Sequence, residues 1–139
     1  MMLCEEIDQI LGPEGAVAAL HPCYEHRPGQ IQMARAVAEA MEQKQHLCVE
    51  AGTGTGKTLA YLLPAIFSNK RVVISTATKN LQEQLFFRDV PFLEKALNRT
   101  LSVCYMKGRS NYLCWNKLEE IEGEAYLFSP HDPEYLQMI

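Results

Sequence analysis

The chain has 139 residues, enough for one sizeable core, and its 47% hydrophobic and 22% charged content is ordinary for a soluble globular domain. No apolar run approaches the ~20 residues of a membrane span, and the acidic start MMLCEEIDQI lacks the basic opening of a secretory signal, so the chain reads as cytoplasmic. A formal charge of −4 argues against a protein that coats nucleic acid by bulk electrostatics, and five cysteines without a CxxC pair suggest neither a disulfide framework nor a self-contained zinc site.

Residues 1–29 carry a short amphipathic stretch, Ile7 to Leu11, and then the Gly and Pro punctuation of LGPEG, HPCY and RPGQ. This reads as an entry segment and not a domain. From Gln30 to Lys44, Ile31, Ala34, Val37, Ala38 and Met41 recur at helical spacing with charges between them, which predicts an amphipathic helix. HLCVEA (46–51) is a brief apolar run ending in a Gly-rich loop and predicts a buried strand, with Cys48 in the core. After the loop, LAYLLPAIF predicts a buried helix kinked or cut short at Pro64. RVVIST (71–76), rich in β-branched residues, predicts a second strand. TKNLQEQLFF is helical in pattern with Thr78 as N-cap, and Asp89 and Pro91 restart a helix through Leu97. LSVCYM (101–106) is a third strand candidate.

Strands alternating with helices, over crossovers longer than about a dozen residues, specify a parallel sheet with right-handed connections. The predicted class is α/β. Past Lys107 the pattern dissolves, and no strand continues the sheet.

AGTGTGKT, from Ala51 to Thr58, lies between a predicted strand and a predicted helix, the setting of a phosphate-binding loop. Gly52, Gly54 and Gly56 let backbone N–H groups converge on phosphate oxygens, with Thr53 and Thr55 between them, and the following helix directs its positive end at the same charges. Lys57 would reach the β and γ phosphates of ATP, and Thr58 would offer its hydroxyl to Mg²⁺; these two carry the catalytic expectation. Ala51 stands where the strict pattern has Gly. A loop of this kind does not by itself choose among kinases, GTPases and motors.

Two flanking segments narrow the choice. The AxxGxGKT form and the upstream YEHRPGQIQMARAV resemble superfamily 2 helicases. In that family a glutamine equivalent to Gln30 hydrogen-bonds adenine, an arginine equivalent to Arg27 helps place it, and an aromatic residue such as Tyr24 stacks on the base. An amide offers both the donor and the acceptor that an adenine edge requires, although Gln30 read alone is a polar residue at a helix start. VVISTATKNLQEQL resembles the segment that grips single-stranded nucleic acid in these motors. Its Ser75, Thr76 and Thr78 hydroxyls suit phosphate contacts, and Thr78 alone reads as a cap.

KGRSNYLC, from Lys107 to Cys114, resembles the start of the iron-sulfur insertion in helicases of the DinG and XPD type. Cys114 would be the first cluster ligand; without the resemblance it is an unremarkable thiol. Together these runs look most like the bacterial DinG and YoaA branch, over residues 20–118. The resemblance implies a RecA-like P-loop NTPase fold and ATP-dependent 5′ to 3′ movement on single-stranded DNA. It also implies a 4Fe-4S cluster on four cysteines, of which this chain offers one at the right place. The implied organisation is an entry segment (1–29), part of a first motor domain (30–108) and the beginning of the cluster insertion (109–139).

No apolar strand ending in DEAH follows Lys57, and Asp132 and Glu134 in the Pro-rich SPHDPEY are poor substitutes. A chain that starts with Met and lacks this motif is expected to be a C-terminal truncation, inactive alone, with apolar surface left open. The alternatives are a small-molecule P-loop kinase, although Arg71, Arg88, Arg99 and Arg109 show no lid-like clustering, and a non-catalytic interaction module.

Overall fold

The stretch before the glycine loop builds much of the core. In the computed structural model, which describes residues 2–21 and 23–124, helix α1 (Met2–Leu11) buries Ile7 and Leu11 completely. These two are one helical turn apart and so share a face. Helix α2 (Ala16–Leu20) follows a tight reversal at Gly15, where an added Cβ would sit 2.6 Å from the Ile10 carbonyl carbon. Residues 1–29, expected to be an entry segment, carry both of these helices, and α1 packs against two later helices and α2 against a third.

Helix α3 (Pro28–Gln43) starts on Pro28, whose missing N–H costs nothing in a first turn. It buries the small residues Ala34 and Ala38 and packs along helix α4 (Lys57–Phe67). Short side chains at the contact let the two backbones approach closely. Arg35 Nε donates to Asp8 Oδ1 at 2.8 Å and ties α3 to α1. Pro64 does not cut α4 short. The helix runs on to Phe67 and closes with Ser68 N donating to the Pro64 carbonyl at 2.9 Å.

Helix α5 (Lys79–Gln84) is capped as expected, with Leu81 N donating to Thr78 Oγ1 at 3.3 Å. The expected restart at Asp89 is corrected. Asp89 has helical angles (φ −74°, ψ −41°) and caps nothing; α5 passes through a π-turn (Leu85–Asp89) directly into helix α6 (Val90–Leu97). Pro91 has no N–H to give the preceding turn, and the wider turn shifts the bonding register past that gap.

The three strand candidates form no ladder among the described residues. Residues 46–51, 71–76 and 101–106 carry no regular element, and Leu47, Val49, Val103 and above all Val73, 88% exposed, face solvent. Cys48, expected in the core, is exposed as well. A β-branched run marks only a segment that fits a pleated surface, and a parallel ladder forms only where neighbouring strands meet its N–H and C=O groups. Here the core is helical, drawn from Ile7, Leu11, Val17, Ala34, Ala38, Ala60, Leu62, Leu63, Leu85 and Leu93.

The chain divides after Cys104. In the second unit Lys107 N donates to the Tyr112 hydroxyl at 2.8 Å, and a single 3-10 turn (Arg109–Asn111) leads to helix α7 (Trp115–Glu124). Residues 125–139, which include Asp132 and Glu134, lie outside the described residues, as does the Cys4 side chain. Among the described residues no helix is long and apolar enough to cross a membrane.

A candidate phosphate-binding loop

The loop from Ala51 to Gly56 ends where α4 begins, so the first N–H groups of that helix, which have no partner within it, open onto the loop. Gly54 (φ +76°) and Gly56 (φ +79°) both adopt the left-handed region that side chains other than glycine resist.

Three side chains named from sequence converge on the loop's carbonyls. Gln30, only 7% exposed, donates from Nε2 to the Gly56 carbonyl at 2.9 Å. Arg27 donates to the Gly54 carbonyl and is itself held by Glu25 at 2.7 Å. Lys57 Nζ donates to the Ala51 carbonyl at 2.8 Å and to that of Gly52. Thr55 Oγ1 closes the turn on the Gly52 carbonyl at 3.0 Å, and Thr53 lies in the exposed part of the loop. Arg27 and Lys57 thus both rest on carbonyl groups of this loop.

Thr58 lies in the first turn of α4, half-buried. Burial pushes the Tyr61 phenol above its ordinary range, the Thr58 hydroxyl opposes this, and the Asp89 charge adds to it.

Tyr24 is placed differently from the base-stacking expectation. Its hydroxyl donates to the Leu11 carbonyl and its ring packs against the core, and burial raises its pKa. Ser75 is exposed, Thr76 Oγ1 donates to the Thr78 carbonyl at 3.1 Å, and Thr78 serves as the cap of α5. Cys114 is exposed immediately before α7, and Cys23, Cys48 and Cys104 are exposed too. Among the described residues no three His, Cys, Asp or Glu side chains come together as a metal site. One thiolate is not the set of four that a cubane cluster needs, so these residues do not fit a complete cluster site.

A family model for DEAD/DEAH box helicases matches residues 29–130, which takes in Gln30, the whole glycine loop and the Thr78 cap. The chain belongs to the DEAD/DEAH box helicase family. Its fold class is accordingly that of the P-loop NTPases. This membership sets aside the small-molecule kinase alternative. Over 108 residues the chain is 54% identical to a protein named ATP-dependent DNA helicase YoaA from Escherichia coli (strain K12), a match covering 78% of this chain and 17% of that protein. It is 49% identical over 127 residues to ATP-dependent helicase DinG from Mycobacterium tuberculosis (strain ATCC 25618 / H37Rv), covering 86% and 18%. A third relative, named 3'-5' exonuclease DinG, from Bacillus subtilis (strain 168), is 40% identical over 117 residues, covering 81% and 13%. The chain therefore spans less than one-fifth of the length of these relatives. No solved structure matches it.

Proposed function

We propose that this chain is the nucleotide-gripping part of an ATP-driven DNA helicase motor of the DinG type, working in the cytoplasm on single-stranded DNA in the 5′ to 3′ direction. The observation that carries the reading is the convergence of Gln30, Arg27 and Lys57 on one glycine loop, inside a DEAD/DEAH box helicase match.

The chemistry follows from the positions. ATP entering the loop offers its phosphate oxygens to the backbone N–H groups of Gly52 to Gly56 and to the start of α4, where the helix dipole favours negative charge. Lys57 exchanges the carbonyls of Ala51 and Gly52 for the β and γ phosphates, with Thr58 contributing a hydroxyl to Mg²⁺. Gln30, at the Gly56 peptide, reads the adenine edge while remaining next to the phosphate loop, and Arg27 steadies that arrangement. Ser75, Thr76 and Thr78 line the nucleic-acid side, and Cys114 supplies one ligand to a 4Fe-4S cluster completed by other cysteines. Residues 46–51, 71–76 and 101–106 become parallel strands of a RecA-like sheet once neighbouring strands pair with them. The division of roles is 1–29, 30–108 and 109–139.

Cleaving the γ phosphate also needs a carboxylate to hold Mg²⁺ and orient water, and an arginine from a second motor lobe. No DEAH motif occurs in these 139 residues. The purified chain should therefore bind a fluorescent ATP analogue, lose that binding in Lys57→Ala, and show no steady ATP hydrolysis. Binding that survives Lys57→Ala would remove the basis of this reading.

A further inference from the structure

We infer that Arg27 acts on the phosphate loop itself, by holding the Gly54 carbonyl, and that Glu25 is the positioning residue that aims it there. The inference deepens the proposed nucleotide site and rests on that reading, and it gives a role to Glu25, which the motif spacing left without one.

The placement begins with the backbone. Arg27 precedes Pro28 and is extended (φ −122°, ψ 101°), as the residue before a proline prefers. Its carbonyl accepts from Gln30 N at 2.9 Å, so its root is tied to the first turn of α3. The guanidinium then spans two partners. Nε at 3.2 Å and Nη2 at 2.7 Å both donate to Glu25 Oε2, while Nη1 donates to the Gly54 carbonyl. A guanidinium is a planar fork, so seating one edge on Glu25 sets the direction of Nη1. Two residues further along the loop, Gln30 Nε2 donates to the Gly56 carbonyl at 2.9 Å. The start of α3 therefore holds the loop at two carbonyls, one on each side of Thr55.

The role follows from the peptide dipole. The Gly54 carbonyl shares its peptide with the Thr55 N–H, and under the proposed function the N–H groups of this stretch meet phosphate. A donor on the carbonyl oxygen polarises the peptide and strengthens its N–H in turn, and a charged donor does so more than a neutral one. Gly54 has no side chain, and an added Cβ would meet nothing within 4 Å, so the Arg27 bond, and not packing at the Cα, ties this peptide to α3. The Arg27 and Glu25 side chains are 42% and 71% exposed, and an ion pair of that kind adds little to fold stability. Its effect is directional and falls on phosphate affinity, whereas a contact from Arg27 to the base falls on adenine alone.

The test is displacement of a fluorescent ATP analogue from the 139-residue chain by inorganic tripolyphosphate, which has the phosphates of ATP and no base. Mg²⁺ is present, and salt at about 0.15 M screens the longer-range charges. Arg27→Lys keeps the charge and loses the fork, and should bind tripolyphosphate about fivefold more weakly, the worth of one hydrogen bond. Glu25→Ala should weaken it about twofold, the scale of an exposed pair, although removing a negative group beside a polyanion site would by charge alone strengthen it. The double variant should bind no more weakly than Arg27→Lys, because Glu25 acts through Arg27. Unchanged tripolyphosphate affinity in Arg27→Lys overturns the inference, and a weakened ATP analogue in that same variant would return Arg27 to the base. Glu25→Ala binding as tightly as the unaltered chain, or an additive double variant, overturns the role of Glu25. Lys57→Ala separates this inference from the reading beneath it. If that change abolishes tripolyphosphate binding, the phosphate loop stands whatever Glu25 and Arg27 do; if binding survives, the loop reading itself fails. A thermal melt accompanies each variant, and should Arg27→Lys fail to fold, Glu25→Ala carries the test.

Discussion

Gln30 Nε2 and the Gly56 carbonyl, 26 residues apart in sequence, meet at 2.9 Å and join the start of α3 to the last residue of the glycine loop. The Gln30 side chain and the glycine loop are thus tied together by a part-buried hydrogen bond. Under the proposed function, a nucleotide that draws Gln30 away must offset this bond, which would couple adenine contact to loop geometry.

Gly56→Ala should cost more stability than Gly54→Ala. Both glycines are left-handed, which disfavours alanine by ~1–2 kcal/mol. At Gly54 a Cβ meets nothing within 4 Å, whereas at Gly56 it would lie 2.8 Å from Gln30 Cδ and closer still to Nε2. Urea melts of the two variants, and of Gly56→Ala combined with Gln30→Ala, measure the difference. The added Gln30→Ala change should recover part of the Gly56→Ala loss; equal costs for Gly54→Ala and Gly56→Ala would contradict this packing.

The contact of α1 with α3 should draw its strength from apolar burial and little from charge. Leu11→Ala removes a fully buried side chain and should cost ~2–5 kcal/mol. Asp8→Ala breaks the pair with Arg35, but the Arg35 and Asp8 side chains are 50% and 34% exposed, and such pairs contribute less than about 1 kcal/mol. Denaturant midpoints decide the order, and the Asp8→Ala loss should shrink further in high salt.

Asp89 predicts a pH signature. Burial raises its pKa above the ordinary value, outweighing the Gln84 hydrogen bond and the Arg88 charge. The folded state then holds the proton more tightly than the unfolded state does. The stability this supplies is fully present below the unfolded pKa and is lost as pH rises through the folded one. Asp89→Asn, which keeps the shape without the charge, should be more stable than the unaltered chain at neutral pH, and that advantage should vanish towards about pH 4, near the ordinary aspartate value. Thermal midpoints of the two proteins across this range provide the check.

Where the governing forces act within a few residues, sequence reading and structure agree. The periodic apolar residues of α3, the glycine loop running into α4, and the Thr78 cap all appear as expected. Each depends on a helical repeat, a backbone angle or a bond spanning three residues. Errors arose where partners are distant. Ile7 and Leu11 show too short a pattern to announce a core helix, and Asp89 resembles a cap because Asp and Pro are adjacent to a new helical run. The valine-rich segments looked buried because their composition suits burial.

The glycine spacing, Lys57 and Thr58 were determined by the sequence alone, since left-handed turns, an ammonium group and a hydroxyl carry their chemistry with them. Only the tertiary structure decided that Gln30 faces Gly56 and that Tyr24 reaches Leu11. Those contacts join residues 26 and 13 positions apart. Packing among α1, α3, α4 and the π-turn, and no local preference, brings such residues together. The same reason governs the exposed β-branched segments: a strand exists only when another strand completes its hydrogen bonds.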